Sequence, residues 1–517
     1  MNKIKNLSLS AIGLSVGLAS FPLADASAAE QPNVILIFTD DQGYTDLGIV
    51  GADPDVRTPH LDQLARDGVL FTRGYATAPQ CVPSRAGLIA GRHQNAFGVD
   101  DNHKGPLPLT EVTIADRLQQ AGYVTGMVGK WHLSPGPQRI DWDGPQPQGA
   151  YNPRNRGFEE YWNGAIGPRY EVNFDLDGNL LADAPQMVND PRYRVDVQTD
   201  AALAFLQRRQ DDPRPFFLYL AWYAPHAPLE DPPHYMERMS HVDDYVRRMG
   251  LASILAMDDG LGRIREKLEQ MGMTENTLII YMSDNGAPLR AGSYVGSLNT
   301  PTVGEKGMQT DGGQRIPYIA AWPGTIPPGQ VFDETVSTLD AARATLEVAQ
   351  ANIDERVEGV NWIPWLKGQR SGAVNEALFW RWRSQAAVLS GDWKFIRVGS
   401  DPNYRYLFNM QTIGEQSAAH NRINEFPEVA ERLERMLLAQ ADQWHFKGLP
   451  QGRPLRPDQD FYDQHVEQTA QALPLGQGET GAYIPWVDGV RRPDLRNTNP
   501  LEFLQQTGRD SRGNPLN

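Results

Sequence analysis

The run PNVILIFTDD, Pro32–Asp41, places a short, nearly unbroken apolar stretch directly before two carboxylates. A run of that kind suits a strand covered on both faces, as in a parallel sheet flanked by helices. Three later segments repeat the design. YVTGMVG (Tyr123–Gly129) leads into Lys130, Trp131 and His132, and PFFLYLAWYA (Pro215–Ala224) into Pro225 and His226. TLIIYMS (Thr277–Ser283) leads into Asp284 and Asn285. Between them lie helical patterns, TPHLDQLARDG, TIADRLQQAG and DDGLGRIREKLEQMG, the last two closing on the glycine that commonly stops a helix. Strands alternating with helices predict an α/β fold with a large, mostly parallel sheet, whose ligands gather at the carboxyl ends of the strands. The polar residues stand just past those ends.

Beyond residue 370 the pattern changes. EALFWRWR, QAAVLSGDWKFIRV and YRYLFNM read as short antiparallel strands, followed by a helix with Val429, Leu433, Met436, Leu437 and Trp444 on one stripe. The expected organisation is a catalytic domain over 29–370, a smaller α+β domain with an antiparallel sheet over 371–448, and an extension over 449–517 that packs on the body. Residues 1–28 read as a signal peptide: Lys3 and Lys5, a short apolar run, then ASAAE with cleavage near Ala28. That run is too short and too rich in Ser and Gly to span a membrane, so a periplasmic or secreted protein without membrane attachment is expected. A net charge of −16 excludes general nucleic-acid binding. Cys81 is the only cysteine and cannot form an internal disulfide; a lone thiol in an oxidising compartment is either buried and inert or chemically used.

Asp40-Asp41 and Asp284-Asn285 offer only oxygen ligands. One such pair alone reads as a cap or turn. Two pairs, each ending a buried strand, suit a hard divalent cation such as Ca²⁺ or Mg²⁺. The ten histidines lack zinc spacing. Arg85, Lys130, His132, His226 and Lys306 would hold a tetrahedral anion beside that cation and supply proton donors to a leaving group. Cys81 precedes Pro83 at the start of a helix that runs through SRAGLIAG to Gly91, and the dipole of that helix favours an anion by ~1 kcal/mol. A thiolate nucleophile at Cys81 is open on these grounds.

CVPSRAGLIAGR matches the C-x-P-S-R signature of the type I, formylglycine-dependent sulfatases of the alkaline-phosphatase-like superfamily. PNVILIFTDDQGYTDLG, TPHLDQLARDGVLFTRGYATAPQC, GYVTGMVGKWHLS, RPFFLYLAWYAPHAP, LIIYMSDNGAP and EKGMQTDGGQRIPYIAAWPG occur in that family's order, so the chain resembles it from Pro32 to Trp444. The resemblance implies that a maturation enzyme converts Cys81 to Cα-formylglycine. One oxygen of its hydrate attacks the sulfur of a sulfate ester, and loss of a proton from the other releases the bound sulfate. It further implies one Ca²⁺ ion, ahead of Mg²⁺, held by Asp40, Asp41, Asp284, Asn285 and residue 81. Arg85 and Lys130 would hold the formylglycine and sulfate, His132 would be the base for sulfate release, and His226 with Lys306 would serve the leaving-group side. Lys130, His226 and Lys306 thus also bind substrate. Asp311 stands where the family often has Glu before Gly-Gly, and FNMQTIGEQSAAHN is a loose form of its D-P-x-E-x-x-N stretch.

The expected substrate is a sulfated polysaccharide or oligosaccharide, of algal galactan (carrageenan) or glycosaminoglycan type. Subsite candidates are His103, Lys104 and Arg290, with Arg169 and Tyr294 beside them; each also reads as an ordinary surface residue. The alternatives are small aryl sulfates and, in the same superfamily, a formylglycine-dependent phosphodiesterase or phosphonate monoester hydrolase. A binder of sulfated glycans without activity is a third reading, open only if Cys81 stays unmodified.

Overall fold

Asn33–Thr39 hides a period of two within its apolar run. Ile35 and Ile37 enter one apolar layer, while Val34, Leu36 and Phe38 enter the other, as a strand sandwiched between helices requires. The computed structural model describes residues 31–135, 149–411, 417–467, 482–492, 494, 499–510 and 513. The expected signal peptide therefore lies outside the described residues, as does part of the FNMQTIGEQSAAHN stretch.

The large sheet comprises β1 (Asn33–Thr39), β2 (Val69–Phe71), β3 (Val124–Gly129), β4 (Glu160–Asn163), β5 (Arg169–Val172), β6 (Gln186–Asn189), β7 (Phe216–Ala221), β8 (Thr277–Ser283), β9 (Tyr318–Ala321) and β10 (Gln330–Phe332). Their order across the sheet is β10-β2-β9-β8-β1-β7-β3-β4-β5-β6. The centre, β8-β1-β7-β3-β4, is parallel throughout. The margins are mixed, because β9 runs against both β8 and β2, and β5 runs against β4 and β6. The few residues between Asn163 and Arg169 are too short for a crossover, which forces β4 and β5 antiparallel.

One face carries α1 (Pro59–Asp67), α4 (Arg194–Gln207) and α5 (Tyr245–Gln270); the other carries α2 (Cys81–Ala90), α3 (Ile114–Gln120) and α6 (Thr338–Val348). The predicted glycine stops hold: Gly122 and Gly272 follow α3 and α5 at φ +90° and +68°, in the left-handed region. Helix α5 begins well upstream of its legible pattern, at an N-cap where the Asp244 side chain accepts the Arg247 N–H.

The second sheet is an antiparallel meander of β11 (Leu378–Trp382), β12 (Gln385–Ser390), β13 (Trp393–Val398) and β14 (Arg405–Asn409). Helix α7 (Pro427–Ala441) covers one face with Leu433 and Leu437, joined by Trp444; Val429 and Met436 pack at the margin, half-buried. Each fully buried aliphatic side chain contributes roughly 1.5–3 kcal/mol. The other face places Trp380, Trp382 and Ile396 against Tyr75 and Met308 of the larger unit and against Phe461 and Tyr462. Asp311 joins the units, accepting hydrogen bonds from Lys394 Nζ (2.8 Å) and Tyr75 Oη (3.1 Å). Lys394 and Arg315 hold its carboxylate below the usual range although burial opposes this. Among the described residues beyond Leu449, a helix at Arg456–Tyr462 packs on this sheet, and Tyr483–Ile484 pairs in parallel with Leu229–Glu230. No described helix is long and apolar enough to cross a membrane.

Candidate active site

Since β8, β1, β7 and β3 are parallel neighbours, the polar residues after them arrive at one edge of the sheet. Asp40 and Asp41 follow β1, Asp284 and Asn285 follow β8, His226 follows β7, and Lys130 and His132 follow β3. Asp41 and His132 hold φ of +65° and +60°, a region that non-glycine residues seldom enter and that clusters at functional sites. Cys81 opens α2, which ends in Gly91 at φ +61°.

The side chains form one buried network. Cys81 Sγ lies 3.3 Å from Asp40 Oδ1 and 3.9 Å from Asp41 Oδ1. Lys306 Nζ reaches both Cys81 Sγ (3.1 Å) and Asp41 Oδ1 (2.6 Å). Lys130 Nζ pairs with Asp40 Oδ2 at 2.5 Å, and Arg85 Nη2 with Asp284 Oδ2 at 2.8 Å. Asn285 Nδ2 donates to Asp41 Oδ1 (2.7 Å), and the Asp41 N–H to Asp284 Oδ1 (3.1 Å). His226 Nε2 faces Asp41 Oδ2 at 3.6 Å. Three carboxylates are thus set against three side-chain cations, nearly all out of contact with water.

Burial disfavours ionisation of Asp40, yet Lys130, His226, Arg85 and Lys306 together hold it well below the usual carboxylate range. Burial, with Asp40 adding to it, pushes Asp284 up, and Arg85 opposes. Burial, then Asp284 and Asp40, raise the Cys81 thiol well above its ordinary value. Lys306 stays charged, since Asp41, Cys81 and Asp40 outweigh the cost of burying it. Burial and Lys130 lower His132 far below its normal value, and burial takes His226 to about 4 against the pull of Asp40 and Asp41. Among the described residues neither ring nitrogen of His132 has a hydrogen-bond partner, and burial with Lys130 favours its neutral form.

The sequence-predicted groups Cys81, Arg85, Lys130, His226, Lys306, Asp40, Asp41, Asp284 and Asn285 all meet in this network. The subsite candidates are less uniform. His103 is exposed; Lys104 is half-exposed, paired with Asp100 (2.7 Å) and placed over the Phe446 ring. Arg290 is bound to Glu305 (2.8 Å) and lies over Phe461. Arg169 sits toward the far margin of the sheet, on β5. Tyr294 is 1% exposed and packs within the apolar core that α5 joins. Sequence reasoning passed over Tyr219, whose Oη accepts from Arg85 Nη1 (3.3 Å), and Tyr223, whose Oη meets His226 Nδ1 (2.9 Å). Both lie inside an apolar strand run, where only their rings were legible.

The arrangement can hold a cation. Asp40, Asp41, Cys81 and His226 each offer a ligand atom, all within 4.8 Å of one another, and Asn285 Oδ1 is buried without a partner among the described residues. Carboxylate and amide oxygens predominate once Asp284 and Asn285 are included, which fits a hard divalent ion.

Known proteins resemble the chain over most of its length. Residues 32–351 match the sulfatase family, and residues 304–443 match the C-terminal region of N-sulphoglucosamine sulphohydrolase. N-acetylgalactosamine-6-sulfatase of Canis lupus familiaris is 31% identical over 428 residues, covering 74% of this chain and 77% of the relative. Human arylsulfatase A is 32% identical over 418 residues, covering 73% and 77% respectively. Among solved structures, Ps i-CgsB in complex with k-i-k-neocarrahexaose superposes with a TM-score of 0.69 at 26% identity, covering 84% of this chain and 97% of that one. With the family matched across most of the large-sheet unit and relatives aligned over nearly three quarters of its length, the chain belongs to the sulfatase family and is a hydrolase of sulfuric esters.

Proposed function

We propose that the protein removes sulfate from a sulfated polysaccharide or oligosaccharide of carrageenan or glycosaminoglycan type, using a formylglycine made from Cys81 by a maturation enzyme. The observation that carries the reading is the meeting of Cys81, three carboxylates and three cations at the carboxyl ends of parallel strands. Likeness to the carrageenan-oligosaccharide complex supports the sugar class. The proposed organisation remains a signal peptide over 1–28 leading to a periplasmic or secreted enzyme, then units at 29–370, 371–448 and 449–517.

Asp40, Asp41, Asp284, Asn285 and residue 81 would hold one Ca²⁺ ion. That ion would supply fixed positive charge to sulfate oxygens, and the formylglycine hydrate would supply the attacking hydroxyl. The chain's own residues do the rest. Arg85, Lys130 and Lys306 draw the sulfate toward residue 81 and offset charge that develops on its oxygens. Neutral His132 takes a proton when sulfate departs. His226 gives a proton to the leaving alcohol.

Chelation should reduce turnover on the order of tenfold or more, and Ca²⁺ should restore it better than Zn²⁺. Better restoration by Zn²⁺ would mean that Cys81 and His226, rather than the oxygen groups, dominate the ligand set. The substrate class is tested by measuring sulfate release from sulfated algal and animal oligosaccharides, with an aryl sulfate and an aryl phosphodiester alongside. Release from one glycan class is expected. Cleavage confined to the aryl sulfate or the phosphodiester would overturn the sugar assignment.

A further inference from the structure

The backbone just after His226 is gripped from two sides. Inside the body, Arg194 at the start of α4 is buried, and its Nη2 donates to the carbonyls of His226 (2.9 Å) and Pro228 (2.8 Å) while its guanidinium lies over the Tyr223 ring. From outside, the segment Tyr483–Arg491 reaches the same turn. Tyr483–Ile484 adds a strand to Leu229–Glu230, and Ile484 packs with Tyr223 and Ile166. Arg491 binds Glu230 through two hydrogen bonds (2.8 and 3.0 Å) and also donates to the Ile166 carbonyl (2.9 Å). Asp231 accepts from Tyr483 Oη (2.5 Å), Tyr245 Oη (2.6 Å) and the Trp486 N–H (2.8 Å). Glu230 is the hub, since Arg194 Nε also approaches it at 3.7 Å, and all three charged side chains are 2% exposed or less.

The grip bears on one ring. The Ala227 carbonyl, which can only accept, lies 2.7 Å from His226 Nδ1, so Nδ1 carries a hydrogen and Nε2 is the atom that faces Asp41 and the site. Tyr223 Oη, also donating to that carbonyl (2.6 Å), closes the triangle. Among the described residues both partners of Nδ1 therefore belong to the Tyr223–Asp231 turn, and the turn is fastened by Arg194 and by Tyr483–Arg491. The latter segment lies beyond both stretches that match family sequences, which end at residues 351 and 443.

We propose that Tyr483–Arg491 is a strap that positions His226, with Arg491, Ile484 and Arg194 as positioning residues for proton transfer to the leaving group. The proposal rests on His226 being the proton donor. Loosening the strap should impair turnover where leaving-group protonation matters and spare it where the leaving group needs no proton. A misplacement of about 1 Å can cost on the order of 10²-fold in such a step.

The test uses the full-length matured enzyme with an unactivated sulfated sugar and an activated aryl sulfate. Arg491→Met should lower kcat on the sugar sulfate roughly ten- to a hundredfold, with KM and aryl sulfate turnover changed by less than about threefold. Arg491→Lys should recover part of the loss. Adding Arg491→Met to His226→Ala should cost little more, because both act on one proton transfer. Should Arg491→Met fail to fold, Ile484→Ala and Tyr483→Phe carry the same comparison without stranding Glu230. Equal losses on both substrates, or full additivity with His226→Ala, would overturn the strap. If His226→Ala alone shows no leaving-group dependence, the donor assignment falls and the strap proposal with it. If His226→Ala shows the dependence and the strap variants do not, only the strap proposal falls.

Discussion

Cys81→Ala and Cys81→Ser should each lose sulfate-ester turnover by about 10⁵-fold or more, the scale seen when a covalent nucleophile is removed. The thiol sits at the first turn of α2, 1% exposed, between Asp40 and Lys306. It occupies the point on which the network converges. Burial raises its pKa well above the ordinary value, so the unmodified thiol is a weak nucleophile at neutral pH. Serine adds only one hydroxyl. It could be sulfated, but it has no second hydroxyl from which loss of a proton expels the sulfate, so it should stall as the covalent ester. Alanine removes a single buried sulfur and should change stability by about 1 kcal/mol. The measurements are turnover, a melting curve for each variant, and the mass of the peptide holding residue 81 in the parent. The parent peptide should show the thiol replaced by an aldehyde oxygen. An active Cys81→Ala enzyme would remove residue 81 from the chemistry altogether.

How much of this could be read from the chain follows from the range of each interaction. The central strands were legible because their burial on both faces leaves continuous apolar runs, and the acid pairs because they stand at the ends of those runs. The parallel order then brings Asp41 and Asn285 into contact across more than two hundred residues, a consequence of topology that the motif positions anticipated. The margins were not legible. Strands β4, β5 and β6 carry no distinctive run, and their antiparallel pairing comes from a short connection rather than from composition. Tyr294 was a subsite candidate by its place on a loop near the expected site, whereas its ring is buried in the apolar core. Arg194, Glu230 and Arg491 look like ordinary surface charges in the sequence. Only the fold shows that Glu230 pairs with both arginines inside the protein, and charge pairing of that kind leaves no local pattern.

His226→Ala should divide substrates by leaving group. With Nδ1 committed to the Ala227 carbonyl, only Nε2 can deliver a proton, and it points at the Asp41 side of the site. General acid catalysis is worth about 10²–10⁴-fold where the leaving group is a poor one, as a sugar hydroxyl is. The variant should therefore lose that factor on a sulfated sugar and only a few-fold on an activated aryl sulfate, whose phenoxide departs unaided. Burial takes His226 to about 4 in the free protein, so the imidazole must gain its proton as the anionic ester enters. The proton donor is lost as pH rises through its pKa in the substrate complex. The kcat profile for the sugar sulfate should accordingly fall on its alkaline side, and His226→Ala should erase that limb. The aryl sulfate profile should hardly change. Equal losses on the two substrates would shift the donor's role to another group, and Lys306, charged and in contact with both Cys81 and Asp41, would be the one to replace next.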